Sequence, residues 1–407
     1  MNKSLIALSI LGAANVASAA RGQENCAPEG PATCYADDCK SCYCLGPVNT
    51  IANAPVNPRT CDGDFVVEVA GFYWNAHQDG MEYAVDNHVR NPVNGNPFSV
   101  GAIQELNNLI DAEYKTPNFD WNWGFKAGIG YNTTCDGWDF GVTWTWYRGK
   151  ANDHIEAEAD DNHTLLPLWS AFASSFGHNL YATDIETSWK LELNLIDLEM
   201  GREYWTSKRL SFRPFVGLRI AFINQDYEIQ HKGGSWSEIL DTQGPQAAYN
   251  NEVDLDNDFH GVGIRSGFNT VWNLGCGWGL YGDFAASVVY GRFSIDHDEE
   301  IRLATAPHDK TKILETKESF RASRGMLDLA LGLQWSTMFC DCQYGFTVQL
   351  GWEQHLFFHQ NQMWRTNRIG DIPVAAGLPN NTGENVFFQR RGTLDTQGFT
   401  LSVQFEF

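Results

Sequence analysis

The chain ends in Gly398-Phe399-Thr400-Leu401-Ser402-Val403-Gln404-Phe405-Glu406-Phe407. Side chains on a β-strand point alternately to the two faces of the sheet, so the apolar residues of this stretch share one face and the polar residues share the other. The stretch therefore predicts a half-buried strand that runs to the final aromatic residue. Such a strand fits the closing strand of a barrel or the edge strand of a β-sandwich, and the rest of the chain has to distinguish them.

The amino terminus predicts export. Lys3 is followed by an apolar run from Leu5 to Ala14 and by the small residues Ala17 and Ala19, which is the pattern of a signal peptide cleaved after Ala19. The alternative, a helical membrane anchor, is disfavoured because the run is too short to cross a hydrocarbon core of about 30 Å.

Composition narrows the class of protein. No later stretch reaches the roughly 18 consecutive apolar residues that predict a membrane-spanning helix, yet the chain contains 25 Phe, 15 Trp and 14 Tyr. This combination favours a transmembrane β-barrel, whose lipid-facing surface carries aromatic rings. The 50 acidic residues outnumber the 28 basic residues and give a net charge of −22. Nucleic acid is therefore excluded as a partner, and the acidity itself indicates solubility.

Alternating stretches predict ten strands. From Phe119 to Tyr131 large apolar residues alternate with Asp, Asn, Gly and Lys, and the alternation resumes from Trp138 to Trp146 after a short turn. An aromatic face opposite a polar face is typical of lipid outside and a polar lumen inside. In the fourth strand the alternation slips near Asp197, which predicts a β-bulge. The predicted strands lie at residues 65–73, 119–131, 138–146, 184–203, 210–222, 259–272, 278–290, 320–335, 344–355 and 398–407.

The connections alternate in length. Long connections are predicted at residues 74–118, 148–183, 223–258, 291–319 and 356–393, and short turns at residues 132–137, 204–209, 273–277 and 336–343. Short periplasmic turns, long extracellular loops and an even strand number are the pattern of bacterial outer-membrane barrels. We therefore predict an all-β, transmembrane, antiparallel up-and-down β-barrel of about ten strands, or more if loop segments form further strands. Residues 1–19 would be the signal peptide, 20–63 a cysteine-rich periplasmic segment and 64–407 the barrel.

Two predicted loops carry further patterns. Residues 100–114 have apolar residues at helical spacing, which predicts a short helix at the barrel mouth, either as a cap or as a plug. Asp254, Asp256 and Asp258 alternate in another loop and could share a hard cation. That loop lacks the Gly and the distal Glu of a calcium loop, so we predict a solvated acidic loop, with no metal and no other cofactor.

All ten cysteines fall on the short-turn side of the predicted topology. They are Cys26, Cys34, Cys39, Cys42, Cys44, Cys61, Cys135, Cys276, Cys340 and Cys342. In an oxidising compartment they are expected to form disulfides, with a pairing that the sequence leaves open. The competing interpretation is a zinc or redox site at Cys39, Cys42 and Cys44. It is disfavoured because the segment contains no His and no βαβ pattern.

Three stretches resemble the chlamydia-type and legionella-type major outer membrane proteins, a family of porins and surface antigens. They are residues 118–126 (NFDWNWGFK), 195–202 (LIDLEMGR) and 210–219 (LSFRPFVGLR). The terminal residues Phe399, Leu401, Val403, Phe405 and Phe407 resemble the insertion signal of outer-membrane barrels, which implies outer-membrane lipid and the barrel-assembly machinery as partners. The cysteine-rich segment resembles the chlamydia-type branch, in which disulfides cross-link the cell envelope. The family supplies no catalytic motif.

The polar face of the predicted strands supplies candidate lumen residues. They are Glu68, Lys126, Lys190, Glu192, Arg213, Arg219, Arg265, Asp283, Asp328 and Glu353. These mixed charges could line a narrow pore or pair with one another and fill it. About eight strands give a packed barrel and 16 to 18 an open channel, so ten lies near the closed end.

Two functions compete. The first is a porin-like barrel that passes small hydrophilic solutes. The alternative is a structural surface protein or adhesin on a closed barrel, with acidic loops facing a host surface and cysteines linking it to itself or to other cysteine-rich envelope proteins. No enzyme is expected, because no Ser, His and Asp have a spacing that places a nucleophile beside a base.

Overall fold

A computed structural model describes residues 33–36, 42–46, 53–59, 63–87, 111–134, 137–157, 164–171, 181–233, 239–241, 244–246, 248–303, 307–339, 343–369 and 384–407. None of the described residues forms a helix long and apolar enough to cross a bilayer.

The described chain is built from strands. They are β1 (Thr33–Ala36), β2 (Cys42–Leu45), β3 (Asp64–Gln78), β4 (Ala84–Asn87), β5 (Glu113–Lys115), β6 (Asn118–Phe119), β7 (Trp121–Asn132), β8 (Trp138–Glu156), β9 (Thr164–Pro167), β10 (Asp184–Arg202), β11 (Tyr204–Trp205), β12 (Leu210–Lys232), β13 (Ile239–Asp241), β14 (Gly244–Gln246), β15 (Ala248–Gly275), β16 (Trp278–Leu303), β17 (Lys310–Phe339), β18 (Tyr344–Asn361), β19 (Trp364–Ile369), β20 (Glu384–Gln389) and β21 (Gly392–Glu406).

Ten of the described strands close into an antiparallel ring. In order around the ring they are β3, β7, β8, β10, β12, β15, β16, β17, β18 and β21, and β21 pairs with β3. At this seam the Phe65 amide donates to the Phe407 carbonyl at 2.7 Å and the Phe407 amide donates back at 3.0 Å. Closure removes the unpaired edges that would otherwise attract other strands. The predicted ten-strand barrel is confirmed.

An apolar belt covers the outer surface of the ring. It consists of the outward-facing side chains in residues 65–73, 121–131, 138–146, 196–200, 210–222, 262–274, 278–290, 329–339, 344–352 and 399–407. Trp123 is 72% exposed and Leu331 is 69% exposed, which suits lipid and not water. A transmembrane strand needs about 9–11 residues, a length that nine of these ten ranges reach. The shorter range on β10 pairs with residues 140–144 of β8 and 216–220 of β12, inside their ranges, so we take these ranges as the membrane-spanning segments. The predicted insertion-signal residues lie in the belt.

Most strands continue beyond the belt at the end that carries the long connections. β12 runs on to Lys232, β16 runs to Leu303 and β17 starts at Lys310. The prediction that residues 223–258 and 291–319 are loops is therefore wrong. The physical reason is a change of surroundings. Inside the membrane the outward side chains are apolar and the inward ones polar, and outside it the two faces exchange character.

β10 shows this exchange clearly. Trp189, Leu191 and Leu193 point inward and are at most 1% exposed, whereas Leu198 and Met200 point outward into the belt. The pairing of β10 with β8 and with β12 runs from Asp184 to Gly201 without a register shift. The predicted β-bulge is therefore wrong: the slip in the pattern marks the membrane boundary and not an extra residue.

The structure also bears on the predicted helix, the predicted acidic loop and the cysteine-rich segment. The predicted helix lies largely outside the described residues, and Glu113–Lys115 at its end form the strand β5. Asp254, Asp256 and Asp258 lie on β15, so the predicted acidic loop is a strand. In the cysteine-rich segment β1 and β2 form a hairpin whose register sets Cys34 opposite Cys44, and Cys42 pairs with Met338 of β17.

Candidate functional site: the barrel lumen

Charged side chains cross the lumen at the level of the belt, and we call this set the lumen network. Arg213 on β12 donates to Asp139 on β8 from Nε at 3.0 Å and from Nη2 at 2.5 Å. Its Nη1 lies 3.3 Å from Glu199 on β10. Arg265 on β15 donates from Nε to the same Glu199 at 3.0 Å. Arginine is suited to such shared contacts because its planar guanidinium presents five donors.

The network continues across the lumen to β17, β18 and β7. Arg219 on β12 and Arg265 on β15 both pair with Asp328 on β17. Asp328 accepts from His355 Nδ1 at 2.7 Å, and His355 Nε2 lies 3.3 Å from Glu353. Lys126 on β7 completes the chain with a 2.5 Å contact to Glu353 on β18. The predicted charges therefore pair across the lumen.

The structure places most of the predicted lumen residues inside the barrel. Lys126, Arg213, Arg219, Arg265, Asp328 and Glu353 join the lumen network, and Glu68 and Asp283 line cavities beside it. Lys190 and Glu192 do not: they point outward above the belt, where Glu192 pairs with the exposed Arg148 at 2.8 Å. Their assignment to the lumen is wrong because the two faces of β10 exchange character at the membrane boundary.

Two polar cavities remain beside the network. The larger has a volume of about 290 Å³ and the smaller about 140 Å³, and Glu68 and Asp283 line both. The larger cavity exists because Gly128, Gly130 and Gly141 on the inner faces of β7 and β8 place no side chain in it. Polar cavities of this size hold water.

Above the belt the lumen is filled by an aromatic core. Trp74, Tyr147, Trp189, Tyr227, Phe259 and Phe293 come from six different strands, and each is at most 1% exposed. The rings of Phe259 and Phe293 lie 4.6 Å apart, and those of Trp74 and Tyr147 lie 5.7 Å apart. Interiors packed in this way leave few voids larger than a water molecule.

Segments after the strands complete this core. Met81, Tyr83 and Trp169 are buried in the same cluster. Tyr227 Oη donates to the Met81 carbonyl at 3.0 Å, and Trp169 Nε1 donates to the Glu82 carbonyl at 2.7 Å. The sequence contains one signal for the core: on β10 the apolar residues Trp189, Leu191 and Leu193 alternate with Lys190 and Glu192, and the apolar set is the one that points inward.

Residues 53–59 lie across the short-turn end of the barrel, and we call them the strap. Ala54 and Val56 bury themselves against Trp205, and the Val56 amide donates to the Glu203 carbonyl at 3.1 Å. At the far end Arg59 Nη1 lies 3.6 Å from Glu406 on the closing strand. Arg59 also lines the larger cavity. Nothing in the sequence pattern predicted the strap, because it has no strand or helix period.

Of the predicted disulfide cysteines, Cys276 is disulfide-bonded, and it lies in the turn between β15 and β16. Cys34, Cys42 and Cys44 lie in the hairpin described above. Cys26, Cys39, Cys61, Cys135, Cys340 and Cys342 lie outside the described residues.

Titratable groups outside the membrane-spanning segments are strongly influenced by their surroundings. Burial lowers the pKa of His231 to about 4 and that of His297 to about 4, so both are neutral in the folded protein near neutral pH. Burial and a hydrogen bond to Asp226 raise the pKa of Asp256 to about 7. Burial and the neighbouring Glu252 raise that of Asp254 to about 6. Asp256 has Asp226 and Asp296 as its direct cross-strand partners, an arrangement of like charges that disfavours ionisation.

The sequence of this closed barrel was compared with models of known protein families. The sequence model of the Legionella pneumophila major outer membrane protein precursor matches residues 59–407. The chain belongs to this family. It is thus an outer-membrane β-barrel protein, and the match confirms the legionella-type resemblance. No curated protein matches the chain.

Comparison with solved structures returns other outer-membrane proteins. The outer membrane protease OmpT of Escherichia coli is 9% identical, with 88% of this chain and 98% of that chain covered and a TM-score of 0.27. A FadL homologue of Pseudomonas aeruginosa is 8% identical, with coverages of 85% and 90% and a TM-score of 0.24. At these values the two structures say nothing about the activity of this chain.

Proposed function

We propose that the protein is a structural surface protein that a closed barrel anchors in the outer membrane. The single observation that carries this proposal is the aromatic core, because it fills the described lumen above the belt. In this proposal the short-turn end with the strap and the cysteine-rich segment faces the periplasm, and the extended strands stand above the outer leaflet.

Packing supports closure at two levels. Within the membrane, Arg219 reaches from β12 to Asp328 on β17, three strands further along the ring. Above it, Trp74, Trp189 and Tyr227 leave at most 1% of their surfaces exposed. A solute that crosses by diffusion needs a continuous aqueous path, and ten strands enclose little more room than the eight that side chains fill.

Diffusion of small hydrophilic solutes is a second candidate function. The observation that favours it is the polar cavity of about 290 Å³ at the level of the membrane. For conduction, the aromatic core and the strap would both have to move. In either case we propose that the cysteines also cross-link the cell envelope. The disulfide-bonded Cys276 in a short turn supports this part of the proposal. Neither candidate function includes a catalytic role. Contacts with a host surface and with the barrel-assembly machinery stay predictions.

Single-channel conductance distinguishes the two candidates. The refolded, oxidised protein is inserted into a planar bilayer, and the closed-barrel proposal expects no conductance steps. A matched variant, Phe259→Ala combined with Phe293→Ala, removes two rings that contact each other in the core and is expected to conduct transiently. Stable steps from the wild-type barrel would overturn the closed-barrel proposal in favour of a pore, with reversal potential then reporting its ion selectivity.

A further inference from the structure

Three metal-binding side chain types meet on the outer face of β8 and β10 above the belt: His154, Glu156 and Asp184. The register sets Glu156 directly opposite Asp184 and His154 opposite Glu186. Since alternate residues share a face, these side chains all point away from the barrel. On β8 the belt ends at Trp146, so the cluster lies outside the membrane-spanning segments.

The ligand atoms of the three side chains lie close enough to converge on one ion. His154 Nε2 lies 3.2 Å from Asp184 Oδ1 and 3.8 Å from Glu156 Oε1, and one atom of each residue lies within 4.8 Å of the others. Zinc bonds of about 2.0–2.1 Å to nitrogen and oxygen separate neighbouring ligand atoms by about 3.3 Å in a tetrahedron. Rotation of the Glu156 side chain, the most exposed of the three, would bring its oxygen closer to the other two atoms and place the three atoms at three corners.

The charge of the cluster favours a cation. Glu156 and Asp184 are direct cross-strand partners, and like charges in this arrangement repel. Lys232 is the partner of Asp184 on its other side, but its ammonium lies 3.5 Å from Glu186. A divalent ion between Glu156 and Asp184 would remove the repulsion.

The backbone holds the ligands in place. The Ala157 amide donates to the Thr183 carbonyl at 2.8 Å, and the Thr183 amide donates to the Lys232 carbonyl at 3.0 Å. The sheet is thus paired past the cluster, and Ile185 beside it is anchored in the aromatic core. The side chains themselves are 26% to 69% exposed. An ion can therefore reach the side chains from solvent. The strands that carry them are rigid, and sites on strands are held more precisely than sites on loops.

We propose that His154, Glu156 and Asp184 bind one divalent transition-metal ion, with Zn²⁺ the best match and a fourth position open to water. Imidazole nitrogen and carboxylate oxygen are both zinc ligands, whereas calcium and magnesium prefer oxygen alone. This inference depends on the barrel fold and not on whether the barrel conducts. Sequence spacing could not reveal the site, because Asp184 reaches the other two residues only through the pairing of β8 with β10.

Isothermal titration of the tag-free, refolded, oxidised chain with ZnCl₂ tests the proposal. One site is expected in the wild type, and His154→Ala should weaken it by more than about 100-fold, more than the loss of an outer-shell partner does. Glu156→Gln and Asp184→Asn should each weaken it by at least about 10-fold. His260→Ala is the matched control, since His260 is also exposed and contacts Asn224 at 3.0 Å.

A second readout separates this site from adventitious binding. Co²⁺ in place of Zn²⁺ should give the visible absorption of a tetrahedral nitrogen and oxygen site in the wild type and in His260→Ala, and should lose it in His154→Ala. Each variant is first shown to fold by its unchanged urea midpoint without metal. The proposal is overturned if the wild type binds no zinc, or if His154→Ala binds zinc as tightly as the wild type.

Discussion

Arg219 on β12 and Asp197 on β10 are direct cross-strand partners and meet through two parallel hydrogen bonds. Nε donates to Oδ1 at 2.7 Å and Nη2 donates to Oδ2 at 2.7 Å. The remaining guanidinium nitrogen lies 2.9 Å from Asp328 Oδ2. Arg219 is 2% exposed, so this one side chain balances two buried carboxylates from opposite walls of the barrel.

Replacement of Arg219 should therefore destabilise the barrel strongly. We expect Arg219→Leu to lower the free energy of unfolding by about 3–5 kcal/mol, because the buried Asp197 loses its two-bond partner and Asp328 keeps only Arg265 and His355. Urea unfolding of the refolded protein in lipid vesicles measures the change. Arg148→Leu removes a comparable but exposed pair with Glu192 and should cost less than about 1 kcal/mol. Equal effects of the two changes would contradict the lumen network.

The two surfaces of the barrel can be compared through two tryptophans. Trp189 is fully buried in the aromatic core and donates from Nε1 to Gln225 at 3.3 Å. Trp189→Ala should cost about 3–5 kcal/mol, as expected for a large buried side chain. Trp123→Ala, which removes a ring that faces lipid, should cost clearly less. The same unfolding assay tests this pair, and a larger loss for Trp123→Ala than for Trp189→Ala would contradict the burial of Trp189 in the aromatic core.

The strap gives a prediction at a glycine. Gly137 has a φ of +70°, and a Cβ atom there would lie 2.6 Å from the Cβ of Pro55. Gly137→Ala should cost more than about 1 kcal/mol from backbone strain alone and should displace the strap. Limited proteolysis within residues 53–59 should become faster. Gly71→Ala is the control, since nothing lies within 4 Å of the added atom, and equal protection of the strap in both variants would contradict the contact.

Two buried histidines predict a loss of stability in mild acid. The pKa of His231 is lowered to about 4 by burial, below the unfolded value of about 6.5. Between these values the unfolded chain binds more protons, so stability falls as pH drops from about 6.5 to about 4. His297 contributes with the same sign. Asp254 and Asp256 act oppositely, because their raised pKa values favour the folded state as pH falls.

A variant isolates the histidine contribution from these carboxylates. His231→Gln should reduce the loss of stability between pH 7 and pH 4 by about 3 kcal/mol relative to the wild type. Urea midpoints at both pH values, for wild type and variant, give the difference. His260→Gln changes an exposed histidine and should leave the pH dependence as it is. If His231→Gln left it unchanged as well, His231 would not be buried as a neutral ring.

Sequence reasoning predicted the ring of strands because the membrane imposes one rule on every strand that crosses it. From Trp121 to Tyr131 and from Gly398 to Phe407 the outward residues are apolar and the inward ones polar, and the structure places them accordingly. The prediction that Phe119 faces lipid is wrong: it packs against the aromatic core, with its ring 5.3 Å from that of Trp189. The rule failed on β10, where Lys190 and Glu192 were assigned to the lumen. There the strand leaves the lipid, and the same alternation has the opposite meaning.

Contacts between distant parts of the chain could not be predicted in the same way. The sequence identifies Arg219, Arg265 and Asp328 as inward charges but does not show that Asp328 receives both arginines. The strap likewise depends on a contact between Val56 and Trp205 that no periodicity encodes. These features follow from the ring closing at ten strands, which sets which inward side chains can reach each other.

The exchange of faces along the strands also fixes how deeply the protein sits. On β12 the outward face is apolar up to Phe222 and carries Asp226 and Glu228 soon after. A strand advances about 3.3 Å per residue, so a shift of the barrel by only a few residues would push carboxylates into hydrocarbon or lift aromatic rings into water. The depth of the barrel in the bilayer is therefore fixed, and the segments carried by its extended strands are held at a constant distance from the membrane.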